Sequence, residues 1–413
     1  MIMLSIYRAL INLVLIFSPI IIIIRLLKKK EDIVRFKEKL GFFSKKRIKG
    51  KLIWLHGASV GEIQSIIPLL EKFEKNNKIS QILITSNTLS SSKVIKKLKL
   101  RKLVHQFFPI DTNFISKKFI NYWKPSKAFF IDSEIWPNTI YNLKKNKIPI
   151  ILLNGRITKK TFDRWNFFPD FAKKIFCKFN LCLSSSYESQ KYLSKLNCYN
   201  VKFIGNLKYT QAENENSLIN KELKNFIKIK KTWCASSTHR SEEFFCGSVH
   251  LNLKKKYKNL LTIIIPRHIE RIKEIENELH KLKLKVHTHE PQKKISPDTD
   301  IYLVNSYGNT KSFYDNCKYV FLGGSLIKHG GQNPLEAVRY GCHVLNGPNI
   351  SNFKEIYDFL KKNKISTKIV NQKNLVYNLD KLFTKKANSK KIQKKLKLIG
   401  NKILEKTYKE INF

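Results

Sequence analysis

Acidic residues are scarce in this chain: 31 Asp and Glu stand against 79 Lys and Arg, a formal net charge of +48. The excess Lys is spread in short runs such as Lys28–Lys30 and Lys144–Lys145. That is either a compositional habit or an attraction to something polyanionic: nucleic acid, an anionic membrane or a phosphorylated substrate. Cysteine pairing is also missing. The seven Cys (177, 182, 198, 234, 246, 317, 342) hold no C-x-x-C spacing, which argues against a disulfide framework and a zinc site and fits a reducing cytoplasm. There is no G-x-x-x-x-G-K-[ST] loop and no RNA-recognition signature, and His250, His280, His287 and His289 lack ligand spacing, so no metal is expected. A disordered chain is excluded by 42% hydrophobic residues and 27 Phe.

The 413 residues exceed what one core usually serves, so two domains are expected. An apolar run from Ala9 to Ile24, interrupted by Ser18 and Pro19, continues through Arg25 to Leu27 and ends at Lys28–Lys30. It is near the lower length limit for a membrane span. The basic cluster follows the run and no small-residue cleavage site is present, which favours an uncleaved anchor over a signal peptide. Arg8 in front and four basic residues at the far end place the remaining chain on the cytoplasmic side.

From residue 51 short β-rich runs alternate with amphipathic segments. Lys51–Leu55, Ile82–Thr85, Ala128–Ile131 and Ile148–Leu153 read as one strand series. Thr232–Ala235, Leu261–Ile265, Lys285–Thr288, Ile301–Val304, Tyr319–Leu322 and His343–Leu345 read as a second. The alternation predicts α/β architecture with parallel sheets, in two Rossmann-like halves. The aperiodic QAENENSLIN stretch, 211–220, is the linker candidate. The domains are thus expected at 1–30 (anchor and basic flank), 31–210 and 211–413, the last helix packing back on the first half.

WLHGASVGE at 54–62 ends a strand, turns at glycine and opens a helix at Glu62, at the carboxyl edge of a parallel sheet where ligands bind. An acid there also simply complements the helix dipole. The same residues contain GASVG, a literal G-x-S-x-G elbow, which makes a hydrolase with Ser59 as nucleophile the rival reading. Against it, His329-Gly330-Gly331 follows the elbow where an oxyanion loop would precede it. FIDSEIWPN at 130–138 puts Asp132 and Glu134 at another strand end, and LLNGRIT at 152–158 places Arg156 similarly. GNLKY at 205–209 offers Lys208 just before the linker.

In the second half, IIIPRHIER at 263–271 brings Arg267 and His268 out of an apolar strand into a helix start, suited to a phosphate or a base. FLGGSLIKHGGQNPLEAVRYG at 321–341 runs a strand into Gly323-Gly324-Ser325 and opens a helix at Asn333-Pro334-Leu335-Glu336. Glycines let backbone amides approach phosphate, and Glu336 can accept from ribose hydroxyls. Pro334 is also a good first helical residue.

Taken in order, the apolar anchor, WLHGASVGE, ITSNT, FPID, DSEIWPN, LLNGR, GNLKY, PRH, GGS and NPLEA resemble the bacterial 3-deoxy-D-manno-octulosonic acid (Kdo) transferases, over nearly the whole chain. The resemblance implies an inverting glycosyltransferase of GT-B type, with two Rossmann-like domains facing a cleft, a CMP-Kdo donor, a lipid A precursor as acceptor and no metal cofactor. It implies Glu62 as general base, Glu134 and Lys208 as transition-state groups, and a CMP site of Arg267, Gly308–Asn309–Thr310 and Asn333 to Glu336. His268, Gly324 and Ser325 flank that site, and Ser59 and Arg156 are candidate substrate contacts. Two positions depart from the family pattern: Gln332 stands where His is usual, and Asn309 where an acid usually follows Gly308. The basic segment with Phe42 and Phe43 is expected to rest on the inner membrane. No nucleic-acid partner is expected, and a basic nucleic-acid binder is the third reading.

Overall fold

The computed structural model describes residues 2–211, 219–290, 294–385 and 388–411. Most of the linker candidate, 212–218, lies outside the described residues. The chain divides into two compact units: residues 1–211 with 399–413, and residues 212–398.

The first unit is built on seven strands: β1 Leu52–His56, β2 Gln81–Ser86, β3 Leu103–Phe107, β4 Lys127–Ile131, β5 Ile150–Gly155, β6 Leu181–Ser184 and β7 Val201–Phe203. Their order is β3-β2-β1-β4-β5-β6-β7, with every pairing parallel. The direction of strand addition reverses between β1 and β4, which makes their carboxyl ends the topological switch point. β1 and β4 are continuous apolar runs because helices cover both faces of the sheet. Trp54, Phe119, Trp123, Phe130 and Phe176 fill the core. Helices leave the strand ends through side-chain caps: Ser59 accepts from Glu62 N, Thr88 from Ser91 N, Thr112 from Ile115 N and Ser186 from Ser189 N.

Phe43 is half-buried. It stacks on Tyr122 at 3.9 Å and packs against Phe119, whereas Phe42 is exposed. The last helix, Ser389–Ile411, contributes residues from 399 onward to the first unit. There Tyr408 accepts from Asn76 at 3.0 Å, Glu410 pairs with Lys202 at 2.6 Å and Ile403 lies over Gly205.

The second unit repeats the plan with β8 Lys231–Thr238, β9 Leu260–Pro266, β10 Val286–Thr288, β11 Ile301–Leu303, β12 Tyr319–Leu322, β13 His343–Asn346 and β14 Ser366–Lys368. The order is β10-β11-β9-β8-β12-β13-β14, again parallel, and the switch point falls between β8 and β12. Trp233, Ile264, Phe321 and Leu345 lie in its core.

Candidate active site

At the first unit's switch point β1 hands over to the Val60–Glu74 helix through Gly57 and Ala58. Ser59 is the helix cap: its hydroxyl donates to Glu62 Oε1 at 2.7 Å and accepts Glu62 N at 3.3 Å, while Ala58 N donates to Glu62 Oε2 at 2.8 Å. This is a variant of the capping box, fixed by the S-x-x-E spacing. It gives Ser59 a structural task as helix cap. Burial pushes the Glu62 carboxyl up to about 7; the Ser59 bond opposes this, and the nearby Glu134 and Asp132 carboxylates add to it.

Glu134 sits past the end of β4 and is held from below. His56 Nε2 lies 3.1 Å from Glu134 Oε2, and Trp136 Nε1 donates to the same oxygen at 2.9 Å. On its other side His56 Nδ1 lies 3.0 Å from Thr85 Oγ1 and 3.3 Å from Thr85 O, and Trp136 Nε1 also comes within 3.1 Å of His56 Nε2. Burial works to raise the Glu134 carboxyl, but the bonds from His56 and Trp136 outweigh it and hold the group below its ordinary range. Two carboxyls in one site are thus driven apart, Glu62 up and Glu134 down.

Lys208 arrives on the Leu207–Thr210 turn, capped by Asn206. Its Nζ lies 3.1 Å from Asp132 Oδ2. Asp132 takes a left-handed backbone (φ 56°), and Asn154, also left-handed (φ 53°), donates to Asp132 while accepting Leu207 N at 2.8 Å. Asn154 therefore ties the carboxylate to the turn that carries its lysine. Arg156 follows β5 with its amide on Asp132 O at 3.0 Å. Ser59, Glu62, Glu134, Lys208 and Arg156 thus all rise from strand ends of this sheet. The sequence reading did not single out His56 or Asn154 for a role. Their partners lie 78 and 22 positions away, and no local pattern announces such pairs.

In the second unit Arg267 and His268 leave β9, but the helix they were expected to open starts later, at Ile272, after a short 3₁₀ turn at Ile269–Arg271. His239, His268 and His329 gather beside the end of β8, with His239 4.4 Å from His329 and 5.7 Å from His268, ring to ring. Burial, followed by the charge of His329, His268, Arg267 and Arg271, pulls His239 down to about 4. Gln332 Nε2 comes within 3.4 Å of His239 Nε2.

Gly324 and Ser325 differ from expectation in one respect. Their amides donate to the buried Glu242 carboxylate at 2.7 and 3.2 Å, together with Leu326 N at 3.0 Å and His239 N at 3.0 Å. A side chain fills the nest that the glycines seemed to reserve for phosphate. A Cβ on Gly323 would come within 2.4 Å of Ser237 O, so this approach requires glycine.

Gly308 makes a left-handed turn (φ 91°), and Asn309 precedes the Thr310–Asn316 helix. That helix packs on Leu335–Arg339, a five-residue helix that Pro334 precedes rather than opens, with Asn333 Oδ1 accepting Leu335 N and Glu336 in the first turn. Among the described residues no group of three His, Cys, Asp or Glu side chains is placed to hold a metal ion.

Two parallel Rossmann-type sheets, each presenting polar groups at its switch point, define the architecture of GT-B proteins. The chain matches a UDP-GlcNAc 2-epimerase of Neisseria meningitidis solved with UDP-GlcNAc, with a TM-score of 0.57 at 14% identity, over 87% of this chain and 99% of that one; the likeness is one of fold. A family model described as 3-deoxy-D-manno-octulosonic-acid transferase (kdotransferase) matches residues 34–211. The 3-deoxy-D-manno-octulosonic acid transferase of Rickettsia bellii is 32% identical over 92% of this chain and 91% of its own. A probable mitochondrial enzyme of that name from Arabidopsis thaliana is 30% identical over 84% and 81%. The chain belongs to the Kdo transferase family, and is a glycosyltransferase of lipopolysaccharide biosynthesis.

Proposed function

We propose that the protein moves Kdo from CMP-Kdo to a lipid A precursor at the inner membrane, on its cytoplasmic side, by an inverting displacement without a metal. The observation that carries the reading is the gathering of Glu62, Glu134 and the Asp132–Lys208 pair at the strand ends of the first unit, in a chain that belongs to the Kdo transferase family. An acceptor hydroxyl attacks the anomeric carbon of Kdo and gives its proton to Glu62. The bond from that carbon to the phosphate oxygen breaks, and CMP leaves with the electron pair. Lys208, steered by Asp132, and Glu134 balance the charge that develops around the reacting carbon.

Arg267 gives the second unit a cation suited to the CMP phosphate, with the His268 and His329 rings gathered around His239 nearby. Gly308–Thr310 and Asn333–Glu336 take the nucleotide, with Gly324 and Ser325 lining it under the control of Glu242. Ser59 and Arg156 border the acceptor side. The first helix, Ile2–Leu27, is long and apolar enough to cross a membrane and supplies the attachment. The test is transfer from CMP-Kdo to a tetraacylated lipid A precursor, products resolved by mass. Product that forms in the presence of chelator supports the reading, and release of free Kdo with no glycolipid would sink it.

A further inference from the structure

The first helix passes the length and composition test for a membrane span, but only one of its faces is free. From Leu4 through Tyr7, Arg8, Ile11, Leu15, Ser18, Ile22, Arg25 and Leu26, residues at helical spacing are buried or half-buried, while those between them are exposed. Such a stripe is the mark of a helix lying along protein. It runs about 33 Å at the helical rise, which is about the thickness of a bilayer's hydrocarbon core.

The contacts along it are specific and belong to the first unit. Tyr7 Oη donates to Asp111 Oδ2 at 2.8 Å, and its ring meets Phe171 at 6.5 Å. Arg8 Nε donates to Asn138 Oδ1 at 2.9 Å, its Nη2 reaches Asn113 Oδ1, and its guanidinium lies over Tyr141. At the other end Arg25 bonds Glu31 at 2.8 Å, and Lys39 holds the same carboxylate at 2.7 Å. Both ends of the helix are therefore fastened to one globular body. A helix crossing the bilayer would carry Tyr7 and Arg8 to the far surface, away from Asp111 and Asn138.

The geometry points to a helix that lies in the membrane interface along the first unit and does not span the bilayer. Its outward face is the lipid contact: Leu10, Leu13, Phe17 and Ile20 are 50–58% exposed. The exposed Lys28–Lys30 at its far end then meet the anionic surface. The fastening also reaches the candidate active site. Asp111, from FPID, accepts Asn138 N at 3.0 Å and Thr139 N at 2.8 Å at the start of the Pro137–Lys145 helix, directly after Trp136. The lipid-facing helix thus sits one residue contact from the loop that carries Glu134.

This inference rests on the membrane attachment proposed above and is tested separately from the transfer reaction. An epitope on a flexible linker is placed ahead of Met1 in the full chain, and protease is added to intact spheroplasts and to inverted inner-membrane vesicles. Loss of the epitope from the inverted vesicles alone is the expected result. Loss from intact spheroplasts means that the helix spans and overturns the inference. Fractionation of the protein away from membranes would overturn it as well. Kdo transfer is assayed in the same vesicles, so a failed reaction with a cytoplasmic epitope counts against the proposed chemistry and not against the topology.

Discussion

Glu62 is the residue on which chemistry and stability pull in opposite directions. Its carboxyl is raised from an ordinary 4.5 to about 7, so the folded protein holds this proton more tightly than the unfolded chain does. A raised carboxyl therefore costs folded stability as pH climbs from 4.5 to about 7, and the cost is absent below 4.5. Glu62→Gln should gain thermal stability relative to the parent as pH rises through that window, while turnover falls by about 10²–10⁴-fold. Melting curves at pH 5 and 8, beside transfer rates, check both; near-native turnover would remove Glu62 from the mechanism. In the parent the rate should rise with pH through about 7, as the base ionises. Ser59→Ala should keep substantial activity but move that rise to higher pH, because the Ser59 hydroxyl is the strongest bond holding the Glu62 proton off. Complete loss with the fold intact would restore the nucleophile reading. Glu62 was legible because a strand end, a glycine turn and a helix start follow one another in WLHGASVGE, which is a local signal. Its electrostatic setting was not, since Glu134 comes from a different strand and is itself set by His56 and Trp136.

At the scale of elements, most strands were legible, down to the three-residue β10 and β11, but β3, β6, β7 and β14 were not. β3 (LVHQF) carries His105 and Gln106, whose side chains bond Ser86 and Phe42 O, and β6, β7 and β14 are four, three and three residues long. Their pairing is supplied by neighbours in the sheet, which no single segment advertises. Glu242 was missed for the same reason, being 82 residues from Gly324. Its two oxygens serve four backbone amides, so Glu242→Gln must turn an NH₂ toward two of them. Each buried amide left unpaired costs about 1–3 kcal/mol. We expect a lowered melting temperature and a KM for CMP-Kdo raised more than kcat is reduced; equal KM values for variant and parent would confine Glu242 to the fold. The last helix offers a parallel case. A Cβ on Gly400 would stand 2.4 Å from Tyr209 O, in the turn that carries Lys208. Gly400→Ala should therefore destabilise by about 1–3 kcal/mol and depress transfer through Lys208, whereas parental stability and rate would mean that the helix shifts freely.

For the whole molecule, the net charge of +48 and the apolar first helix act on the same surface but respond differently to salt. Attraction between exposed lysines and an anionic bilayer is screened within about 10 Å at 0.1 M salt, whereas burial of Leu10, Phe17 and Ile20 in lipid is not. Deletion of residues 1–30 should therefore release much of the protein from membranes at low salt and most of the remainder at high salt. The truncated protein should fold, since the sheet and core of the first unit begin at β1, but it should melt earlier than the parent. Removal of the helix takes Tyr7 from Asp111, whose carboxyl burial already raises to about 6, and uncovers the side of the unit along which the helix lay. Tyr7→Phe in the full chain separates these effects. It keeps the apolar stripe and removes one bond to a buried carboxylate, so it should lower the melting temperature while leaving membrane binding as it was. Sedimentation with vesicles at low and high salt, beside the melting curves, reads both. A truncated protein that stays on vesicles at high salt would show that another apolar surface does the anchoring, and Phe42, Phe114 and Phe167, each exposed on the first unit, are the side chains to replace next.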